Sequence, residues 1–452
     1  MMQSLIYNAW ILTMNDKDET YHPGYLIIEE DKIMALGHQS DLPLEWQERL
    51  NEGYSGADYQ LIDAQDGILM PGMINAHTHV GMIPFRSLGD DMKDRLRRLL
   101  FPLEANMTAE LVEASARYAL AEMLLAGITT FADMYYFESV IGQVTQEVGM
   151  RALIGETIIN QATCDGDQDP YYGLRISDSF INQWQGQELI RPMLAPHATN
   201  TNDESTLLAI KAKAESYQVP VMMHVAEMDY EMDYFRQELG TSPIGYLDKL
   251  GLLNEHLLAV HCIHLSQEDI DLMAHRQAKM IHCIGANTKA AKGIAPLKEL
   301  LEAGVPVGLG TDGPSSGNTL DLFHQMRYIA YAHKTANHDR QAFPAKEIVR
   351  LATVGGAQVL GLEKRVGQLK VGYQADLTLV ETDSVNMFPI FDPYSALVYA
   401  ADSYNVRHVW VNGRQLVRDH QLVHIDLKHI RQQLDKAMVG FRQAVESLME
   451  QE

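Results

Sequence analysis

Five short segments set polar, metal-type side chains directly behind apolar runs. His77-Thr78-His79 closes GILMPGMINAHTH, His197 closes IRPMLAPH, His224 and Glu227 close VPVMMHVAE, His261 closes LLAVHCIH, and Asp312 closes VPVGLGTD. On an extended strand, side chains two apart face the same side, so His77 and His79 can address one ion. Neutral imidazoles suit zinc or ferrous iron. His77, His79, His224 and Asp312, with one position left open for water, make a donor set suited to hydrolysis. A bound divalent cation lowers the pKa of its water toward about 7. Asp312 can take the water's proton, Glu227 can protonate a ring nitrogen, and His261 can hydrogen-bond the attacking water and stabilise developing charge. Opening an amide ring does not need ring protonation, so Glu227 points to an aromatic C–N or C–Cl bond. A two-metal site would need a bridging group, such as a carboxylated lysine, at the end of the fourth strand. His197 stands there, so one metal is expected, Zn2+ ahead of Fe2+.

An isolated His-x-His carries little weight, and a histidine is usually not a ligand. What decides here is the company of strand-end groups. His256, His264 and His282 read as strand or loop residues with local hydrogen bonds, Asp133 as structural, and Cys262 and Cys283 as core packing.

Eight apolar strand candidates carry or separate these groups: GILMPGMINAH, GITTFADMY, GMRALIGET, IRPMLAPH, VPVMMHV, HLLAVHC, AKMIHCIG and VPVGLGTD. Helical stretches alternate with them. TAELVEASARYALAEMLLAG opens on a Thr108 cap and ends at Gly127, TNDESTLLAIKAKAESY starts with cap-type residues, and Ser266 begins another. Ligands at the C-terminal ends of successive strands are expected of an α/β chain folded as a (β/α)8 TIM barrel, whose active site lies on that face. Residues 1–67 alternate apolar and polar, with turns at Asn15-Asp16 and Glu30-Asp31. The pattern returns in ADLTLVET and HVWVNGRQLVRD, which carries an Asn412-Gly413 hairpin signal. The expected organisation is a small β-sandwich domain built from residues 1–67 and 366–425, a barrel over 68–365, and an amphipathic terminal helix over 426–452.

The chain has 452 residues, 46% hydrophobic and 21% charged, enough for a large domain and a smaller one. Its net charge of −24 repels phosphate backbones, which argues against a nucleic-acid partner. No run is apolar and long enough to span a bilayer, and the start shows no basic region followed by an apolar one. Three cysteines, Cys164, Cys262 and Cys283, argue for a reducing cytoplasm rather than a disulfide framework. A small-molecule substrate is expected.

The motifs PGMINAHTHVGM, FRSLGDD, HVAE, AHCIHL, HCIGANTKAAKGIAPL, GLGTDGPSSGNTLDLF and GYQADLTLV together resemble the amidohydrolase superfamily. Within it they are most similar to 5′-methylthioadenosine/S-adenosylhomocysteine deaminases, in the branch of adenosine–cytosine deaminases and triazine hydrolases. The resemblance covers nearly the whole chain, most densely Pro71 to Asp376. It implies a metal-dependent aminohydrolase that replaces the exocyclic amine of a 5′-modified adenosine by oxygen, releasing ammonia. It further implies that Glu104, in FPLEA, contacts the ribose hydroxyls, that His197, in APHA, contacts substrate, as Glu227 does, and that the chain self-associates. Two motifs depart from the family: FRSLGDD and NTKAAKG stand for FRGLADD and NLKLASG. A third departure places Glu156 where the family carries a substrate-binding arginine, and a glutamate cannot pair a substrate carboxylate. Arg151, earlier on that strand, reads as structural.

Two other readings stand beside this one. The substrate can be another amino- or halo-heteroaromatic ring, such as a triazine, pterin or guanine-like base. A barrel that only binds or scaffolds would have lost a strand-end group, and all five are present.

Overall fold

The computed structural model describes residues 3–450 except Tyr54 and Ala57. The chain forms two compact units. One comprises the chain up to Asn75, Glu122–Thr130 and Asp321–His424; the other comprises Ala76–Ala121, Phe131–Leu320 and the chain from Ile425.

In the first unit both ends of the chain share one nine-stranded sheet. Gln3–Leu12 pairs antiparallel with Thr20–Glu29 and parallel with Tyr59–Asp63 and Ile68–Pro71. Ile68–Pro71 then pairs antiparallel with Leu377–Val380, which continues into Val406–Val411 and Arg414–Arg418. Ile6, Leu26, Leu69, Leu379 and Trp410 bury their side chains in one apolar cluster, so early and late strands of the chain share a common core on a single sheet rather than the two sheets of the expected sandwich. The Asn412-Gly413 turn is the expected two-residue hairpin: Val411 pairs with Arg414 and both turn residues have positive φ, 52° and 75°.

The run GILMPGMINAH is two strands, not one. Ile68–Pro71 belongs to the small unit's sheet and Met73–Thr78 to the barrel. Gly72 makes the switch, because a Cβ there would lie 2.2 Å from the Thr129 side chain. Apolar periodicity could not show this break, since all four residues of Ile68–Pro71 and all six of Met73–Thr78 are buried.

The barrel strands are parallel. Met73–Thr78, Ile128–Tyr135, Arg151–Ile158 and the two short pieces Ile190–Pro192 and Ala195–Pro196 form one run; Val221–Val225, Leu257–His261, Lys279–His282 and Val307–Leu309 form the other. Bridges Leu194–Val221 and Ala198–His224 join the two runs. At the other seam Asp312 N–H donates to His77 O at 3.1 Å, beyond the ends of the last and first strands. This is the (β/α)8 barrel. Helix starts fall where capping chemistry places them: Thr108 Oγ1 accepts from Leu111 N–H at 3.2 Å, Asp203 caps Glu204–Tyr217, and Ser266 with Asp269 forms a capping box. The terminal amphipathic segment is two helices, Leu427–Ala437 and Val439–Met449, meeting at Met438. Among the described residues, no helix is long and apolar enough to cross a membrane.

Gly413→Ala is expected to lower stability by more than about 1 kcal/mol, because alanine is strained at positive φ. A Cβ at Gly413 would also lie 1.8 Å from Glu30 O. The urea unfolding midpoint checks this.

Candidate metal centre and active site

The strand ends deliver their side chains to one point. Ligand atoms of His77, His79 and His224 all lie within 4.8 Å of one another. His224 Nε2 is 3.2 Å from His77 Nε2, and Asp312 Oδ1 is 3.2 Å from His79 Nε2 and 3.7 Å from His77 Nε2. The far nitrogens of two of the rings are engaged by backbone of an adjacent strand. His79 Nδ1 lies 2.5 Å from Met134 O, and His224 Nδ1 lies 2.6 Å from His197 O. Each of these Nδ1 atoms therefore carries its ring's proton, which leaves Nε2 as a lone pair aimed inward. His77 is fully buried, with Nδ1 3.3 Å from Met222 Sδ. Converging nitrogen lone pairs beside a carboxylate are the surroundings a divalent cation requires, and the donor set fits a single metal.

Without a cation these groups strain one another electrostatically. Burial holds His77 and His224 well below the usual imidazole range, and neighbouring imidazoles push the same way. Burial also opposes charge on His79, yet its hydrogen bond and attraction to Asp312 lift it to about 9. Burial would raise Asp312, but His79 dominates in sum with the other histidines and holds the carboxylate well below its ordinary value.

Several ligand-bearing turns are built on left-handed backbone. Ala226, His261, Cys262 and Asp312 have φ of 51°, 71°, 48° and 58°. Such conformations persist only where surroundings fix them. At Asp312, Thr78 Oγ1 donates to its carbonyl at 3.2 Å and Gly313 N–H to its Oδ1 at 2.6 Å. Behind Glu227, the buried Glu231 accepts from the N–H of Ala226 at 3.0 Å and of Glu227 at 2.9 Å.

Glu227 stands beside this cluster, with Oε1 3.5 Å from His261 Nε2. Lys292 Nζ lies 2.5 Å from the same oxygen. Burial pushes the Glu227 carboxyl up, but His261 and Lys292 outweigh it and keep it ionised. His261 Nδ1 lies 2.8 Å from Asn287 Oδ1, which leaves Nε2 facing the site. Lys292, Asn287 and Glu231 were not identified from sequence. Lys292 and Asn287 lie within NTKAAKG, where Lys292 occupies the place of the family motif's serine, and that departure was the available signal. Glu231 shows only as an acid four residues after Glu227.

His197 contributes its carbonyl to His224, and burial lowers its imidazole to about 4. Its ring is 6.5 Å from that of Phe101. Phe101 and Glu104 line a cavity of about 280 Å³ together with Tyr136, Thr163, Cys164 and Asp167. Glu104 Oε1 receives the Tyr135 hydroxyl at 3.4 Å, and burial raises its carboxyl to about 7 against the pull of His79 and the tyrosine hydroxyls.

Glu156 is not brought to the others. Its Oε2 accepts from Glu138 N–H at 2.9 Å, at the start of Glu138–Val148, where Phe137 offers no side-chain cap. It is absent from the lining of that cavity, and it accepts from a backbone N–H at a helix start that would otherwise lack a side-chain partner. Asp133 accepts from Val80 N–H at 2.7 Å, a bond between neighbouring strand ends. Cys262 and Cys283 are fully buried. His256 lies 3.6 Å from its neighbour Glu255, and His264 lies 3.5 Å from Asp229 at the start of the helix Asp229–Glu238.

Residues 68–416 match the Amidohydrolase family. The chain belongs to the amidohydrolase family. A 5-methylthioadenosine/S-adenosylhomocysteine deaminase of Syntrophobacter fumaroxidans is 36% identical over 437 residues, 95% of this chain and 96% of the relative. A 5′-deoxyadenosine deaminase of Methanosarcina barkeri is 33% identical over 97% of this chain and 98% of its own. The crystal structure of an adenosine deaminase from Xanthomonas campestris with bound zinc superimposes with a TM-score of 0.91 at 30% identity, covering 98% of this chain and 99% of that one. This amidohydrolase is a hydrolytic enzyme built around a site for a divalent metal.

Adding Zn2+ to metal-stripped protein is expected to raise the thermal midpoint, since a ligand at 100 times its Kd stabilises by about 2.7 kcal/mol. His224→Ala is expected to abolish that rise. Lys292→Met is expected to keep the metal, by elemental analysis, while kcat/KM falls by about 10-fold or more, since Glu227 loses the partner that orients it.

Proposed function

We propose that this amidohydrolase deaminates a 5′-modified adenosine, 5′-methylthioadenosine or a related nucleoside, by water attack on the amine-bearing ring carbon. The observation that carries this is Glu227 beside His261 at the edge of the His77/His79/His224/Asp312 cluster, with a cavity that Glu104 lines. The relatives' names agree with it.

His77, His79, His224 and Asp312 are assigned to hold the cation, which we take to be Zn2+ on its imidazole-rich donors and on the zinc of the Xanthomonas structure. When bound, the cation supplies a nucleophilic water at neutral pH. Asp312 is assigned to accept the proton of that water and deliver it to the departing amine. Glu227, its carboxylate held in place by Lys292 and His261, would first take one proton of the water and pass it to the ring nitrogen, which makes the neighbouring carbon electrophilic, while the other proton goes through Asp312 to the amine. His261 Nε2 hydrogen-bonds the attacking water, its ring fixed by Asn287. Glu104 takes the ribose hydroxyls, and His197, kept neutral by burial, contacts the substrate. For the chain's organisation we propose a barrel over 68–365 and a small domain from 1–67 and 366–425.

Glu227→Gln is expected to retain the metal and lose turnover of 5′-methylthioadenosine by about 100-fold or more, followed as ammonia release and purine absorbance. A near-normal rate in Glu227→Gln would remove the proton-donor role. Silence of the wild type on all adenosines, with turnover of a free amino-heterocycle, would move the substrate to that ring class.

A further inference from the structure

The cavity beside the metal cluster has a charge character that bears on the substrate's 5′ arm, and the inference rests on the deaminase reading above. Near the cluster it is bounded by Phe101, whose ring is 6.5 Å from His197, and by Glu104, bonded to Tyr135. Its far wall is the loop bearing Thr163, Cys164 and Asp167. None of the residues lining it is lysine, arginine or histidine, and two, Glu104 and Asp167, are acids. Asp165 sits on the same loop, hydrogen-bonded to Glu156. Arg175, the cation that reaches back to this loop, is bonded to Asp169 at 2.7 Å.

The wall is a built feature. Asp167 and Gln168 both have left-handed backbone, φ 46° and 72°, and the turn bonds Gly166 N–H to Thr163 O and Asp169 N–H to Gly166 O hold it. Its groups already feel negative charge. Burial raises the Tyr136 hydroxyl and the Cys164 thiol, and Glu104 and Asp165 push both further.

We propose that this cavity receives the 5′ arm and selects against a carboxylate on it, favouring an arm that carries an ammonium group. Among the residues lining it, a carboxylate there meets acids and no base, whereas an ammonium finds Asp167 on the far wall. The selection lies on these residues, not on Glu156, whose carboxyl faces a helix start.

The test compares S-adenosylhomocysteine with its decarboxylated analogue, S-adenosyl-3-thiopropylamine, which differs only by the carboxylate. Ammonia release by the zinc-loaded enzyme is measured, with 5′-methylthioadenosine as reference. The amine is expected to exceed S-adenosylhomocysteine in kcat/KM by about 10-fold or more, chiefly through KM if the arm is held equally in the ground and transition states. Asp167→Asn, whose new side chain tolerates positive φ, is expected to narrow that ratio several-fold. Turnover of 5′-methylthioadenosine with S-adenosylhomocysteine equal to or better than the amine would overturn this inference and leave the deaminase reading standing. An unchanged ratio in Asp167→Asn would overturn the assignment to this wall. Silence on all three nucleosides would overturn the deaminase reading and this inference with it.

Discussion

The structure turns on the way two imidazoles are held from behind by backbone. His79 on the first strand bonds the carbonyl of Met134 on the second, and His224 on the fifth bonds the carbonyl of His197 just past the fourth. These bonds do three things at once. They fix the tautomer, they lock the ring's rotation, and they tie ligand geometry to the spacing of adjacent barrel strands. The Asp312 N–H to His77 O bond ties the backbone at Asp312 to the end of the first strand at the barrel seam. The left-handed turns at Ala226, His261 and Asp312 follow from this demand, since each must bend the chain sharply where a strand ends and still aim a side chain inward.

Around that frame the charged groups divide into two regions. Beside the metal cluster, Lys292 and the histidines keep Glu227 ionised and ready to serve a ring nitrogen. On the cavity side, acids accumulate with little to neutralise them, and burial pushes Glu104 and Glu156 upward. The metal cluster thus carries the hydrogen-bonding groups, and the cavity lined by Glu104 carries an acidic wall. The chain's net charge of −24 does not specify this division, because it arises from which acids the barrel loops enclose.

The ligand positions were legible because each polar group interrupts an apolar run, and a barrel places strand ends on one face. The helix starts at Thr108 and Ser266 were legible because capping is local chemistry. The break at Gly72 was not. Ile68–Pro71 and Met73–Thr78 are both wholly buried, so hydrophobicity continues across a change of sheet. The surroundings of Glu156 were hidden for a related reason. Its place on the third strand was readable, but its bond to the N–H of Glu138, eighteen residues earlier, joins it to a different element.

The sequence by itself determined the fold class, the family, the donor types of the metal site and the presence of an acid suited to ring protonation. Those follow from residue type and from periods of two and 3.6, which are local properties. Only the tertiary structure decided the partners: Lys292 against Glu227, Asn287 behind His261, Glu231 under the turn that carries Glu227, and Asp167 facing the cavity. These are contacts between turns on different strands or between a turn and the helix after it. A lysine in a polar turn has the same local pattern whether it faces water or a buried carboxylate. The closure of the barrel selects between the two.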